Sequence, residues 1–166
     1  MPNNEGRLLD FCQSRGIVCY LPLRKVCRLM RQKHGSKSYQ YPKEVLRPMF
    51  PNYAFVKLSQ TQRSELFKSN AVIRVLAETE TLQDRLLDDI RLVRKIETIA
   101  MSEELVFNAD IKEGDRFLIE SGAWEGVYGW LKKKRNRTVW TVEIECLNAL
   151  IQATIDPTQY KMTRIQ

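Results

Sequence analysis

The chain holds a single histidine, His34, and its four cysteines at 12, 19, 27 and 146 include no pair at CxxC spacing. Zinc draws its ligands from close pairs. No metal site is expected, and the thiols are expected to be free and buried. A glycine-rich phosphate cradle is also missing, and no set of titratable groups gathers around the lone imidazole. Neither an enzyme nor a cofactor is expected. No apolar run nears the ~18 residues of a membrane span. The opening residues, MPNNEG, carry no charged-then-apolar leader. The expected place is the cytoplasm, and the expected state a monomer.

What is present in excess is positive charge, and it is unevenly placed. Net charge is +7, and residues 15–47 carry nine Lys/Arg against one acid, Glu44. The rest of the chain is nearly balanced. Phosphate contacts reward clustered cations. Arg24, Lys25, Arg28, Arg31 and Lys33 therefore form a candidate nucleic-acid stripe, with a solvated basic face as the competing reading. A second cluster, LKKKRNR (131–137), places Lys132, Lys133, Lys134, Arg135 and Arg137 on a hairpin suited to RNA.

Patterning predicts two parts. A short helix follows Asn3 or Asn4, shows Leu8, Leu9, Phe11 and Cys12 on one face, and ends at Gly16. IVCYL (17–21) and RKVCRLMR (24–31) suggest strands, and QKHGSKSYQYPKE a polar loop or hairpin tip. A β-type run begins at Tyr53, with Phe55 and Val56 in the core. Ser59 caps a helix to about Ser69 with Leu66 and Phe67 inward, AVIRVLA (71–77) suggests a strand, and Asp88 or Asp89 starts a helix with Ile90, Val93 and Ile96 on one stripe. These elements make an α+β domain, helices flanking an antiparallel sheet, over 1–99. Residues 100–111 suggest a linker. From 112 to 166, five strand-like runs (RFLIE, VYGWLKK, TVWTVEIECL, LIQATI and YKMT) suggest a small five-stranded β-barrel.

SGAWEGVYGW (121–130) alternates glycines with bulky residues. Gly122 and Gly126 suit a turn with Trp124 at its exposed tip, and Gly129 suits a bulge inside a strand. Trp130 and Trp140 are expected in the core, and Tyr128 on the surface.

GDRFLIESGAWEGVYGWL resembles a KOW motif, carried by Gly114, Asp115, Gly122, Trp124, Gly126 and Gly129, with Ala123 where proline is usual. RPMFPNYAFVKL resembles the P-L-F-P-G-Y-V-F-V signature of NusG-type transcription factors, with Asn52 in the place of glycine. GIVCYLPLRK and LLDDIRLVRKIE are similar to that family's second strand and last amino-domain helix. Family members begin with an aromatic-rich strand ahead of the first helix. Here MPNNEG stands where that strand should be ending.

The resemblance implies a transcription elongation or antitermination factor without catalysis. Its amino-terminal domain would dock on the clamp helices of the largest RNA polymerase subunit through Phe50, Pro51 and Tyr53, with the basic stripe toward upstream or non-template DNA. Its KOW domain would reach a ribosomal protein, a termination factor or RNA. The charge asymmetry points toward a specialised, RfaH-like paralogue. The alternative is a KOW-type RNA-binding or ribosome-associated protein that leaves polymerase alone.

Overall fold

The computed structural model describes residues 4–34, 37–76, 79–107 and 114–165. The expected cap Asn3 and part of the expected linker, 108–111, lie outside them. The chain divides into two units, Met1–Val75 and Leu76–Gln166.

In the first unit, α1 (Asn4–Ser14) leads through Gly16, at φ +63°, into β1 (Val18–Tyr20). β1 pairs antiparallel with β4 (Phe55–Lys57), and α2 (Gln60–Phe67) follows. Ser59 caps α2 as its sequence predicts. Its hydroxyl accepts from the Gln62 N–H, and the Gln62 side chain accepts from the Ser59 N–H, a reciprocal capping box. Leu8, Cys12, Ile17 and Leu66 form a small core, with Ala54, Val56, Ala71, Val72 and Val75 packed against it. Phe55 is buried as expected and stacks on Tyr20, ring centroids 5.8 Å apart.

Several expectations are corrected here. Phe67 is exposed, and Leu66 alone of that pair turns inward. Leu9 is also exposed. The 71–76 run packs side chains on the core but joins no sheet, and Ile73 is 97% exposed. Apolar patterning predicts a strand, but its backbone finds no ladder. Most of the segment expected as a polar loop or hairpin tip is strand, the far part of a hairpin. β2 (Leu23–His34) and β3 (Lys37–Pro48) are each twelve residues long and pair only with each other among the described residues. A ribbon with two wet faces has no hydrophobic alternation to betray it.

The second unit begins with α3 (Glu80–Ala100). Its N-cap is Thr79, whose hydroxyl accepts from the Leu82 N–H, so the helix starts well before Asp88. Asp89 is no cap. It is buried and accepts at 2.7 Å from the backbone N–H of Cys146. Val93 and Ile96 face inward as expected, joined by Ile99 and Ala100, while Lys95 donates to the carbonyl of Glu125. These contacts group α3 with the carboxy-terminal sheet, whereas the sequence places it at the end of an amino-terminal domain.

That sheet is six-stranded and antiparallel, in the order β10-β6-β7-β8-β9-β5. All five expected runs are strands: β6 (Asp115–Ile119), β7 (Tyr128–Lys134), β8 (Arg137–Ile144), β9 (Ala149–Ile155) and β10 (Met162–Arg164). The sixth is β5 (Leu105–Phe107), which lies in the expected linker and pairs with β9. Val139, Trp140, Thr141 and Val142 are buried in succession, so both faces of β8 are covered.

The 121–130 stretch now has an explanation. Gly122 and Gly126 both have positive φ, as a turn requires, but Trp124 is fully buried rather than exposed at the tip. Backbone bonds from Gly126 N to Ile119 O and from Val127 N to Trp124 O fold the turn back under β6 and carry the indole inward. Gly129 makes no bulge. It pairs in register with Phe117, and a Cβ there would meet the Thr141 carbonyl at 2.5 Å and the Trp140 ring at 2.7 Å. The glycine is there to seat the tryptophan. Trp140 is core as expected, Trp130 is half-buried beneath the Arg116 guanidinium, and Tyr128 is exposed.

Candidate nucleic-acid interface

At about 3.4 Å per residue, twelve-residue strands give a ribbon on the order of 40 Å long. An isolated two-stranded hairpin is marginal in water, so its root matters. There Pro22, Met49 and Phe50 are buried, and the Met49 N–H donates to the Pro22 carbonyl at 2.9 Å. Phe50, at 3% exposure, is thus an anchor of the ribbon and not a free contact. The chain then turns: the Tyr53 N–H donates to the Phe50 carbonyl at 3.2 Å, and Asn52 has φ +71°. Proline second and positive φ third is the signature of a type II turn, and Asn52 supplies the conformation usually given to glycine. Pro51 and Tyr53 stay exposed on it, Tyr53 at 40%.

The register of the ribbon sorts the basic stripe. Residues paired across a sheet share a face. Arg24 pairs with Arg47, Val26 with Val45, Arg28 with Lys43, Met30 with Tyr41 and Gln32 with Tyr39, all on one face. The other face pairs Lys25 with Leu46, Cys27 with Glu44, Leu29 with Pro42, Arg31 with Gln40 and Lys33 with Ser38. Of the five predicted cations, only Arg24 and Arg28 share a face; Lys25, Arg31 and Lys33 lie on the reverse. The lone acid of the region, Glu44, is also on the reverse, 3.6 Å from Lys25. Burial at the root lowers the pKa of Arg24, but arginine starts high enough to remain a cation at neutral pH.

Sequence reasoning missed Lys43, Arg47, Tyr39 and Tyr41 as site residues. A signal was available: once His34 pairs with Lys37, antiparallel register fixes every pair behind them. Cys27, expected to be buried, is exposed on the reverse face, while Cys12 is buried and Cys19 and Cys146 are half-buried. Burial pushes the thiols of Cys19 and Cys146 up to about 12.

In the second unit, Gly114 and Asp115 open β6, and Arg164 bonds to the Asp115 carboxylate at 2.6 Å. Lys133, Lys134, Arg135 and Arg137 are exposed at the β7–β8 turn, with Lys132 half-buried. Trp124, expected beside them as an exposed partner, is interior. Among the described residues no three His, Cys, Asp or Glu gather as a metal site.

The family model described as transcription termination factor nusG matches residues 2–91. The chain belongs to the NusG family. No curated protein matches it. NusG proteins are transcription factors and not enzymes. No helix among the described residues is long and apolar enough to cross a membrane.

Proposed function

We propose that this NusG-family chain is an elongation or antitermination factor that binds RNA polymerase through the Phe50–Tyr53 turn. The observation that carries the reading is this turn: a NusG-type signature that leaves Pro51 and Tyr53 exposed while Phe50 secures it from beneath. A rigid, exposed aromatic is the kind of anchor that dominates interface energies. The clamp helices of the largest subunit are the partner this turn would meet, with the basic ribbon toward upstream or non-template DNA.

The second unit is, in this reading, a KOW barrel. Its antiparallel strand order and the Gly114–Gly129 motif support that assignment. Its cations, half-buried Lys132 and exposed Lys133 to Arg135, suit RNA, a ribosomal protein or a termination factor. They also favour the alternative, an RNA-binding KOW protein without polymerase.

The test is binding to core RNA polymerase. Tyr53→Ala should weaken it about tenfold or more, with circular dichroism unchanged. Phe50→Ala should lose the fold of the root as well. A folded wild type that binds RNA but not polymerase would establish the alternative.

A further inference from the structure

We propose that one face of the β2–β3 ribbon holds single-stranded nucleic acid, its phosphates on Arg28, Lys43 and Arg47 and its bases on Tyr39 and Tyr41. The proposal rests on the nucleic-acid part of the reading above and adds a face, a strandedness and two aromatic residues to it.

The first observation is electrostatic. Arg28 stands directly opposite Lys43, with Arg47 further toward the root, and neither β2 nor β3 contributes an acid to that face. Like charges paired across strands destabilise a sheet, and this ribbon has little burial to offset the cost. A polyanion laid along the face relieves it. On the reverse face no two cations stand opposite one another, and Lys25 meets Glu44.

The second is chemical. Tyr39 and Tyr41 share that face toward the tip and are 55% and 41% exposed. Two residues apart on one antiparallel strand, their Cα atoms are separated by about 6.8 Å. That is twice the ~3.4 Å between stacked bases, so one base fits between the rings. Stacking of this sort is the common device of single-strand binders and tolerates any base.

Together these distinguish a single strand from a duplex. A two-stranded ribbon also enters the major groove, but paired bases there offer no open ring face to a tyrosine. Cations at the root and rings toward the tip instead match a strand whose backbone runs along the ribbon and whose bases are free.

The experiment is anisotropy of labelled oligo-dT, oligo-rU and a duplex of equal length with the full chain, over a range of salt and without polymerase. Arg28→Gln/Lys43→Gln should lower the slope of log K against log salt by about 1.4, at ~0.7 per phosphate contact on a single strand. Arg31→Gln/Lys33→Gln removes the same charge from the reverse face and should leave the slope nearly unchanged. Tyr39→Ser/Tyr41→Ser should weaken single-strand binding about tenfold per ring at unaltered slope, and Tyr39→Phe/Tyr41→Phe should restore it. Binding of either sugar supports the proposal, and the ratio identifies the natural strand.

Equal slope changes from the two faces, tighter binding of duplex, no strand binding by the wild type, or a serine variant that binds like wild type would each overturn it. Because polymerase is absent, failure here leaves the Tyr53 contact standing, and failure at Tyr53 leaves this face standing.

Discussion

The carboxylate of Glu5 accepts a hydrogen bond of 2.7 Å from the backbone N–H of Asn52, 47 residues away. Glu5 is buried at the start of α1, and Asn52 is the positive-φ residue of the turn that presents Tyr53. One contact therefore ties the first helix to the candidate polymerase interface. Hydrogen bonds to charged groups contribute about 1.5–3 kcal/mol. Glu5→Ala should cost stability in that range in urea unfolding. It should also weaken polymerase binding in the folded fraction, since Tyr53 loses its support.

Gly129→Ala should destabilise the second unit by about 1–3 kcal/mol, the cost of overpacking a filled core. The added methyl would meet the Thr141 carbonyl and the Trp140 ring, so the loss should appear together with an altered near-ultraviolet tryptophan signal. Gly126→Ala meets nothing within 4 Å and suffers only from its φ of +76°. It should cost about 1–2 kcal/mol and leave the tryptophan signal alone.

Cys146 yields a pH prediction. Its thiol rises from 9.0 to about 12 on folding, through burial first and then its approach to Asp89. A raised pKa means the folded state holds its proton where the unfolded state releases it. The stabilisation is fully present below about pH 9 and is lost as pH climbs toward 12. Stability measured against pH should therefore fall less steeply across that window in Cys146→Ala than in the wild type.

Arg28→Gln should make the chain slightly more stable, by about 0.2–1 kcal/mol, because it removes one partner of a like-charged cross-strand pair. The same substitution lowers affinity for nucleic acid. Opposite signs in thermal melting and in strand binding are the expected result.

Much of this was legible from residues alone. Ser59 and Gln62 announce the α2 cap, the five β runs after residue 112 are all strands, and Asn52 stands where positive φ is needed. The differences have physical causes. The start of α3 is hidden because its first turns bury nothing, Leu82 and Leu87 being exposed, while Asp88 and Asp89 look like caps. The length of the hairpin is not legible, and much of β3 reads as loop or tip, because a ribbon wet on both sides shows no apolar alternation. The burial of Phe50 and Trp124 is not legible, because turn glycines and prolines mark a chain reversal without saying which way its aromatic residue points. The split of the basic stripe between faces depends on pairing register, which composition does not carry.

The strand recruited from between α3 and β6 sets the practical limits of the second unit. A fragment starting at 112, the boundary that patterning suggests, would strip Leu105–Phe107 from the exposed edge of β9 and remove the helix that packs on β8. It would leave an open hydrogen-bonding row along Ile151–Ala153. Such an edge invites self-pairing. A fragment starting at Leu76 keeps both, and is the one to express when the carboxy-terminal half is wanted in solution.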